Sequence, residues 1–284
     1  MSIIFEMPKI IFYPIGQIAN DIEIMRTSTK KINSTQRYRL ILDELEKKRY
    51  VTVQDFSQAL GVSEVTIRKD LKDLERKNLL LRSHGGASPL SSLIGDRHID
   101  EKEKIMVDEK MRIAEAAAKL LNKNDRIIIA SGTTLLFFAR KIPMSEPLMV
   151  ITSSVKVSLT LCYYPNVEII QLGGDMRKSS ASAIGTYSEQ FLKGLMCNKL
   201  FIGVDGIGID FGLTTSNIAE AHLNQYMLNA AKEVIVLADS SKFGKQGFGK
   251  ICDIERVNHI ITDKNAPQNI LQIIRDKGIK VTLV

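Results

Sequence analysis

Two groups of residues in this chain have the types and spacing to hold anions. The first is basic. Arg68, Lys69 and Lys72 lie in SEVTIRKDLKDLE, just after Ser63, Glu64 and Thr66. In a helix, Ile67, Leu71 and Leu74 repeat at i, i+4 and i+7 and face a core, which leaves Glu64, Val65, Thr66, Arg68, Lys69 and Lys72 on the other faces. Arg68 can then make a bidentate contact to guanine O6 and N7, worth ~1–3 kcal/mol of discrimination. The hydroxyls of Ser63 and Thr66 can donate to phosphate beside the helix N-terminus. Arg82 and His84 follow closely, where they could reach the DNA backbone or the minor groove. A basic, solvated helix in a small helical domain is the plainer reading of the same text.

The second group sits in four polar turns, each following an apolar run. RIIIA leads into Ser131-Gly132-Thr133-Thr134, and EIIQL into Gly173-Gly174-Asp175 with Arg177 close by. KLFIGV leads into Asp205-Gly206-Ile207-Gly208, and VIVLA into Asp239-Ser240-Ser241-Lys242. Ser, Thr and Gly at a strand-to-helix turn can cradle a phosphate, with Arg177 and Lys242 as cations and Asp205 as a hydroxyl acceptor. Such a set fits a phosphorylated polyol. Each part also has a simpler use: SGTT as a helix cap, Asp239 as a turn cap, Arg177 as the partner of a surface acid.

The elements that must position these groups fall into two kinds. Upstream, Gln36–Lys48 is amphipathic, with Leu40, Ile41 and Leu45 at helical spacing, and Val53–Leu60 is a second short helix ended by Gly61. Ser63 is a suitable N-cap for the basic helix, and Leu79 to Gly86 reads as a hairpin beside it. Helix, turn, basic helix and hairpin together form a winged helix-turn-helix that can enter the major groove. Residues 88–108 lack periodicity and read as a linker, and MRIAEAAAKLL within 108–121 is a good helix.

Beyond residue 125 strands alternate with helices. Strands are expected at 126–130, 148–152, 167–172, 199–204, 233–238, 259–262 and 280–284, and helices at 134–141, 154–162, 182–195, 219–231 and 268–277. Several strands are wholly apolar, as strands covered on both faces should be. This is an α/β layer with a largely parallel sheet, in which ligands bind at the C-terminal edge. The expected division is an extension over 1–33, a DNA-binding domain over 34–88, a linker over 89–108 and an α/β sensing domain over 109–284.

Bulk properties narrow the partners. The 284 residues carry a net charge of +7, and 34–87 holds 11 Lys and Arg against 8 Asp and Glu. That excess favours an anionic partner without requiring one. Cys162, Cys197 and Cys252 are far apart, with no CxxC or Cys/His cluster, so no metal site, disulfide framework or cofactor is expected. His98, His222 and His259 have no ligand spacing. The N-terminal apolar run from Ile10 to Ile15 is interrupted by Pro14 and too short for a secretory segment, and no stretch approaches ~20 apolar residues, so a cytoplasmic location is expected.

VSEVTIRKDLKDLE, LLLRSHGGA, EKMRIAEAAAKLL, SGTT, LGGDMR, FIGVDGI, GLTT and LADSSKFG occur in this order over about 250 residues. In these motifs the chain resembles the DeoR family of transcriptional regulators. The resemblance implies a winged helix-turn-helix joined to a domain similar to ribose-5-phosphate isomerase. It implies a repressor of sugar-metabolism genes that a phosphorylated sugar releases from operator DNA. Because one winged helix reads only a short half-site, a homodimer or larger homo-oligomer is also expected. The resemblance places Ser131, Gly132, Thr133, Thr134, Gly174, Arg177, Asp205, Gly206 and Lys242 at the effector site, and Lys110 and Arg112 in a segment that communicates binding. Two positions depart from the pattern. Ala130 stands where the family commonly has an acid, and Gly208 replaces the second acid of the isomerase's D-G-x-D, which implies binding without catalysis. The alternatives are an active sugar-phosphate isomerase with an accessory DNA-binding domain, and a DNA-binding scaffold whose α/β domain takes no ligand.

Overall fold

The computed structural model describes residues 32–48, 50–77, 79–83, 85–89, 98–145 and 147–284. The extension expected over 1–33 lies outside the described residues except for its last two. His84 and residues 90–97 also lie outside them.

The N-terminal unit runs α1 (Ser34–Lys48), β1 (Val51–Thr52), α2 (Val53–Leu60), α3 (Glu64–Arg76), β2 (Leu80–Ser83) and β3 (Gly86–Pro89). Thr52 and Asp55 close a capping box at the start of α2, and Gly61 ends it in the left-handed conformation, φ 62°. Ser63 caps α3 by accepting from the Thr66 N–H. The strands pair antiparallel in the order β1-β3-β2. The hairpin runs on to Pro89, three residues beyond the expected Gly86, because Ser88 and Pro89 pair with Leu81 and Leu80 of β2, while Val51–Thr52 adds a third strand at Gly86 and Ala87.

Ile41, Leu45, Phe56, Ile67, Leu71, Leu74 and Leu80 form the core of this unit. One polar pair crosses it. Arg37 of α1 donates through Nε and Nη2 to the two carboxylate oxygens of Asp70 on α3, at 2.7 and 3.1 Å. Both side chains are largely buried. The sequence pattern put Arg37 on the polar side of α1, because helical periodicity carries no information about a partner 33 residues away.

The C-terminal unit runs α4 (Ile99–Glu103), α5 (Val107–Ala118), β4 (Arg126–Ile129), α6 (Thr133–Ala139), β5 (Leu148–Thr152), α7 (Val155–Leu161), β6 (Val167–Gln171), β7 (Asp175–Arg177), β8 (Ser182–Ile184), α8 (Thr186–Leu192), β9 (Cys197–Ile202), β10 (Gly206–Gly208), β11 (Gly212–Thr215), α9 (Ile218–Asn229), β12 (Ala231–Leu237), β13 (Gly249–Cys252), β14 (His259–Thr262), α10 (Gln268–Asp276) and β15 (Lys280–Leu283). Seven strands form one sheet in the order β15-β14-β12-β9-β4-β5-β6. Every neighbouring pair in it is parallel.

The chain builds outward from β4 through β5 to β6. It then returns to the other side of β4 and builds outward again from β9. The switch point therefore lies between β4 and β9, where ligands of open α/β sheets bind. Phe138 of α6 packs on Phe201 of β9 with ring centroids 4.3 Å apart, which fixes the turn between β4 and α6 against that point.

Two small antiparallel additions were not foreseen. β10, β11 and β13 form one sheet, and β7 pairs with β8. The helix expected over 182–195 is instead β8 followed by α8, broken at Gly185 with φ 102°. Within the segment expected as a linker, α4 forms and packs against α6.

The Arg37–Asp70 pair yields a stability prediction. Asp70→Ala leaves a guanidinium in a nearly dry contact and is expected to destabilise the winged helix by about 3 kcal/mol. Arg37→Met with Asp70→Leu is expected to recover most of that loss. Urea titrations followed by circular dichroism check both; a loss below about 1 kcal/mol for Asp70→Ala would mean that water solvates Arg37.

Candidate functional site: a basic helix and a polar pocket

The solvent face of α3 carries Arg68, Lys69 and Lys72, all exposed. Arg68 Nη2 donates to Glu64 one turn back at 2.9 Å, and the Ser63 and Thr66 hydroxyls bond each other at 2.9 Å. These contacts are local and solvated, so each side chain can be re-aimed at small cost. Arg82 rests on Glu75 through an exposed pair at 3.5 Å. Val65 on the same helix is 75% exposed. The sequence places it off the core face but does not name it as a contact, since an apolar side chain offers DNA no hydrogen bond. A methyl-bearing side chain there is suited to the methyl group of thymine.

At the switch point the α/β unit forms a partly open cavity of about 60 Å³. The turn after β4 contributes Ser131, Gly132, Thr133 and Thr134; the turn after β9 contributes Gly203, Val204 and Asp205; Lys242 follows β12. Arg177, Ser179 and Ser180 come from the β7–β8 hairpin, Thr215 from the end of β11, and Glu220 from the first turn of α9. Ile99 and Lys102 of α4 complete the lining.

Among the residues expected at this site, Gly174 and Gly206 do not line the cavity. At Gly174 a Cβ would lie 2.2 Å from the Ile184 carbonyl oxygen, and at Gly206 one would lie 2.1 Å from that of Lys245. Both glycines let neighbouring backbone approach and so hold the walls in place. Asp239 caps its own turn by accepting from the Ser241 N–H at 3.0 Å.

The cavity charges are mostly paired. Asp205 Oδ1 accepts from Lys102 Nζ at 2.9 Å, and its Oδ2 accepts from the Ser216 N–H at 3.0 Å and the Thr215 hydroxyl at 3.3 Å. Burial alone would raise the Asp205 pKa. Lys102, the charge of Lys242 and the Ser216 N–H outweigh burial and bring it down to about 2. Glu220 accepts from the Ser131 hydroxyl at 2.5 Å and the Thr215 hydroxyl at 2.9 Å, and lies 3.2 Å from Arg177 Nη1. Among the described residues Lys242 makes no ion pair.

Glu220, Lys102 and Thr215 are therefore members of the cavity that the motifs did not point to. Glu220 looks like an ordinary acid in a helix's first turn, and Lys102 lies in unpatterned text. Ala130 is buried in the core, and Glu220 supplies a carboxylate beside Ser131 from another element. Arg112 pairs with Glu109 on the surface at 3.6 Å. Lys110 instead points inward and donates to the Lys102 and Ile105 carbonyls at 2.5 and 2.6 Å.

A winged helix-turn-helix with a basic second helix, attached to a parallel α/β unit with a polar cavity, defines a two-domain DNA-binding transcriptional regulator. Residues 37–92 match the DeoR-like helix-turn-helix domain, and residues 105–264 match the DeoR C terminal sensor domain. The chain belongs to the DeoR family, whose members are regulators and not enzymes. It is 34% identical to the putative aga operon transcriptional repressor of Escherichia coli O157:H7, over 90% of this chain and 96% of that protein. It is 34% identical to the uncharacterised regulator YulB of Bacillus subtilis, covering 88% and 96%. Identity to the glycerol-3-phosphate regulon repressor of Escherichia coli K12 is 28%, covering 89% and 100%. A ribose 5-phosphate isomerase A from Methanocaldococcus jannaschii overlaps 48% of this chain and 54% of its own at 18% identity, with a TM-score of 0.37, too loose an overlap to carry a functional reading. Among the described residues no helix is long and apolar enough to cross a membrane.

Lys110 makes this region sensitive to pH. Burial brings its pKa down from 10.5 to about 8, with Asp239 opposing the shift and Lys242 adding to it. Between about pH 8 and 10.5 the unfolded chain holds a proton that the native chain has lost, so this residue's contribution to stability rises with pH in that window. Lys110→Met should abolish that contribution. Urea midpoints at pH 8 and pH 10 are expected to show wild type gaining on the variant as pH rises; a constant difference would mean that Lys110 titrates normally.

Proposed function

We propose that this protein represses genes of carbohydrate metabolism and that a phosphorylated sugar bound at the switch-point cavity releases it from DNA. The observation that carries the reading is the composition of the cavity. Ser131, Thr133, Thr134, Thr215, Asp205 and Glu220 offer hydroxyls and carboxylates to a polyol. Lys242 offers a cation not engaged by a described acid, and a phosphate gains charge-assisted hydrogen bonds from it. The relatives named for the aga operon and the glycerol-3-phosphate regulon agree with a carbohydrate ligand. The setting is the cytoplasm, where operator DNA is found.

The isomerase alternative is disfavoured by one position. A Cβ at Gly208 would lie 2.2 Å from the ring of Phe211, so a second acid there would have to displace that ring. The ligandless alternative is disfavoured by Lys242, a cation at the cavity that no described acid pairs with.

On DNA, Ser63, Thr66, Lys69, Lys72 and Arg82 serve as phosphate contacts and Arg68 reads a base, with Val65 beside it on the same helix. A winged helix reads a short half-site. A homodimer or larger assembly spanning half-sites about 34–36 Å apart would supply operator affinity, with the α/β unit as the source of the interface.

Arg68→Ala is expected to cost about 1–3 kcal/mol of operator affinity without loss of folding. A gel-shift titration checks this, and unchanged affinity would remove Arg68 from base reading. Lys242→Ala is expected to leave operator binding intact and blunt release by effector. Calorimetry comparing free sugars with their phosphates tests the assignment, since equal affinities would contradict a phosphate site.

A further inference from the structure

The cavity's 60 Å³ is too small for its proposed occupant. A water takes about 30 Å³ of liquid volume, and small-molecule sites usually span about 300–1,000 Å³. A sugar phosphate fits wholly inside only if a wall moves. The turns after β4, β9 and β12 continue directly from buried, hydrogen-bonded strands, so displacing them disturbs the sheet. α4 has no such anchor. It is five residues long, its only buried apolar side chain is Ile99, and the rest of its attachment is polar.

Those polar contacts can be taken one by one. The Ile99 N–H donates to the Ser179 carbonyl at 2.7 Å. Lys156 pairs with Asp100 at 2.5 Å and Glu103 at 3.2 Å, and Arg140 pairs with Glu103 at 2.9 Å. These pairs are partly exposed and individually weak. Lys110 of α5 donates to the Lys102 and Ile105 carbonyls and holds the C-terminal end of α4, so the N-terminal end is the freer one; the last tie, Lys102 to Asp205, lies inside the cavity. At 2.9 Å no ligand atom fits between its two partners. Asp205 Oδ2 is already occupied by Ser216 and Thr215, so a ligand hydroxyl that reaches this carboxylate must compete with Lys102 for Oδ1.

We propose that α4 is the lid of the effector site and that Lys102 is its exchanging residue. The proposal rests on the reading of the cavity as a sugar-phosphate site. An entering sugar phosphate gives a hydroxyl to Asp205 and draws the Lys102 ammonium onto its phosphate. Lys102 keeps an anionic partner throughout, while α4 leaves Ser179 and the cavity widens. Lys102 lies between the two family-matched segments, 37–92 and 105–264, and belongs to neither. In the chain α4 follows the wing strand β3 after residues 90–98. Whatever the route, DNA must weaken effector binding by the factor by which effector weakens DNA binding.

Hydrogen–deuterium exchange on the full chain tests this with and without ligand. Without ligand, Lys102→Met and Asp205→Asn are each expected to speed exchange of residues 98–106 by about tenfold, with the strands of the main sheet unchanged. The reversed pair, Lys102→Asp with Asp205→Lys, should restore protection. With ligand, a panel of pentose and hexose phosphates is used, with inorganic phosphate as control. A panel member that protects 131–136 should speed exchange of 98–106 in the wild type and add little in Lys102→Met. Unchanged exchange of 98–106 in both single variants overturns the lid, whatever binds. Protection of 131–136 with no change at 98–106 overturns it as well. If the variants loosen 98–106 and no panel member binds, the sugar-phosphate reading of the cavity falls, and the ligand exchange with it.

Discussion

A sheet whose seven strands all run the same way delivers every strand's C-terminal end to one edge, and most of the chemistry of the α/β unit follows from that. β4, β9 and β12 lie side by side, so the turns after them open onto the same space although 35 to 110 residues separate them along the chain. The reversal of direction between β4 and β9 keeps that space from being covered by a crossover. Side chains in these turns need little further positioning, because the buried strands beneath them already fix their spacing. The short additions β7–β8 and β10–β11 then fold over the edge and bring in Arg177 and Thr215.

Inside the cavity the balance is electrostatic. Two carboxylates and three cations share a small volume, and two of the cations are held by the two acids. Desolvation opposes charging of Asp205, but neighbouring cations and an N–H donor win, so the acid is ionised at any ordinary pH. Partners so placed form a network that is satisfied internally but can exchange with a ligand carrying both hydroxyls and a phosphate. An apolar cavity of the same size would bind more simply but could not distinguish such a ligand by charge.

Much of this was legible from the residues. Runs such as IIIA and LMVI are apolar at every position, and the structure buries almost all of them; the stripe Ile67, Leu71 and Leu74 is buried as its spacing demands. What escaped was short or non-local. Three-residue strands such as β7, β8 and β10 have no period to detect, and α4 is shorter than two turns. Glu220 acts through Ser131, 89 residues earlier, and Asp70 through Arg37, 33 residues earlier. Glycines misled in the other direction. Gly174 and Gly206 stand in phosphate-like turns, yet they serve close backbone approach, and only the neighbouring chain reveals which use is meant.

The bidentate contact between Arg37 and Asp70 has a consequence for how this sequence can change over generations. Its net worth against an apolar pair is small, because both charges have been taken out of water. Losing either partner alone leaves the other stranded, at a cost that is a large share of the ~5–15 kcal/mol that keeps a domain folded. A lineage can therefore reach an apolar replacement only by crossing a fitness valley, or by two changes arriving together. The pair is held in place by the depth of that valley more than by its own strength, and its two positions should drift through related sequences as one inherited unit.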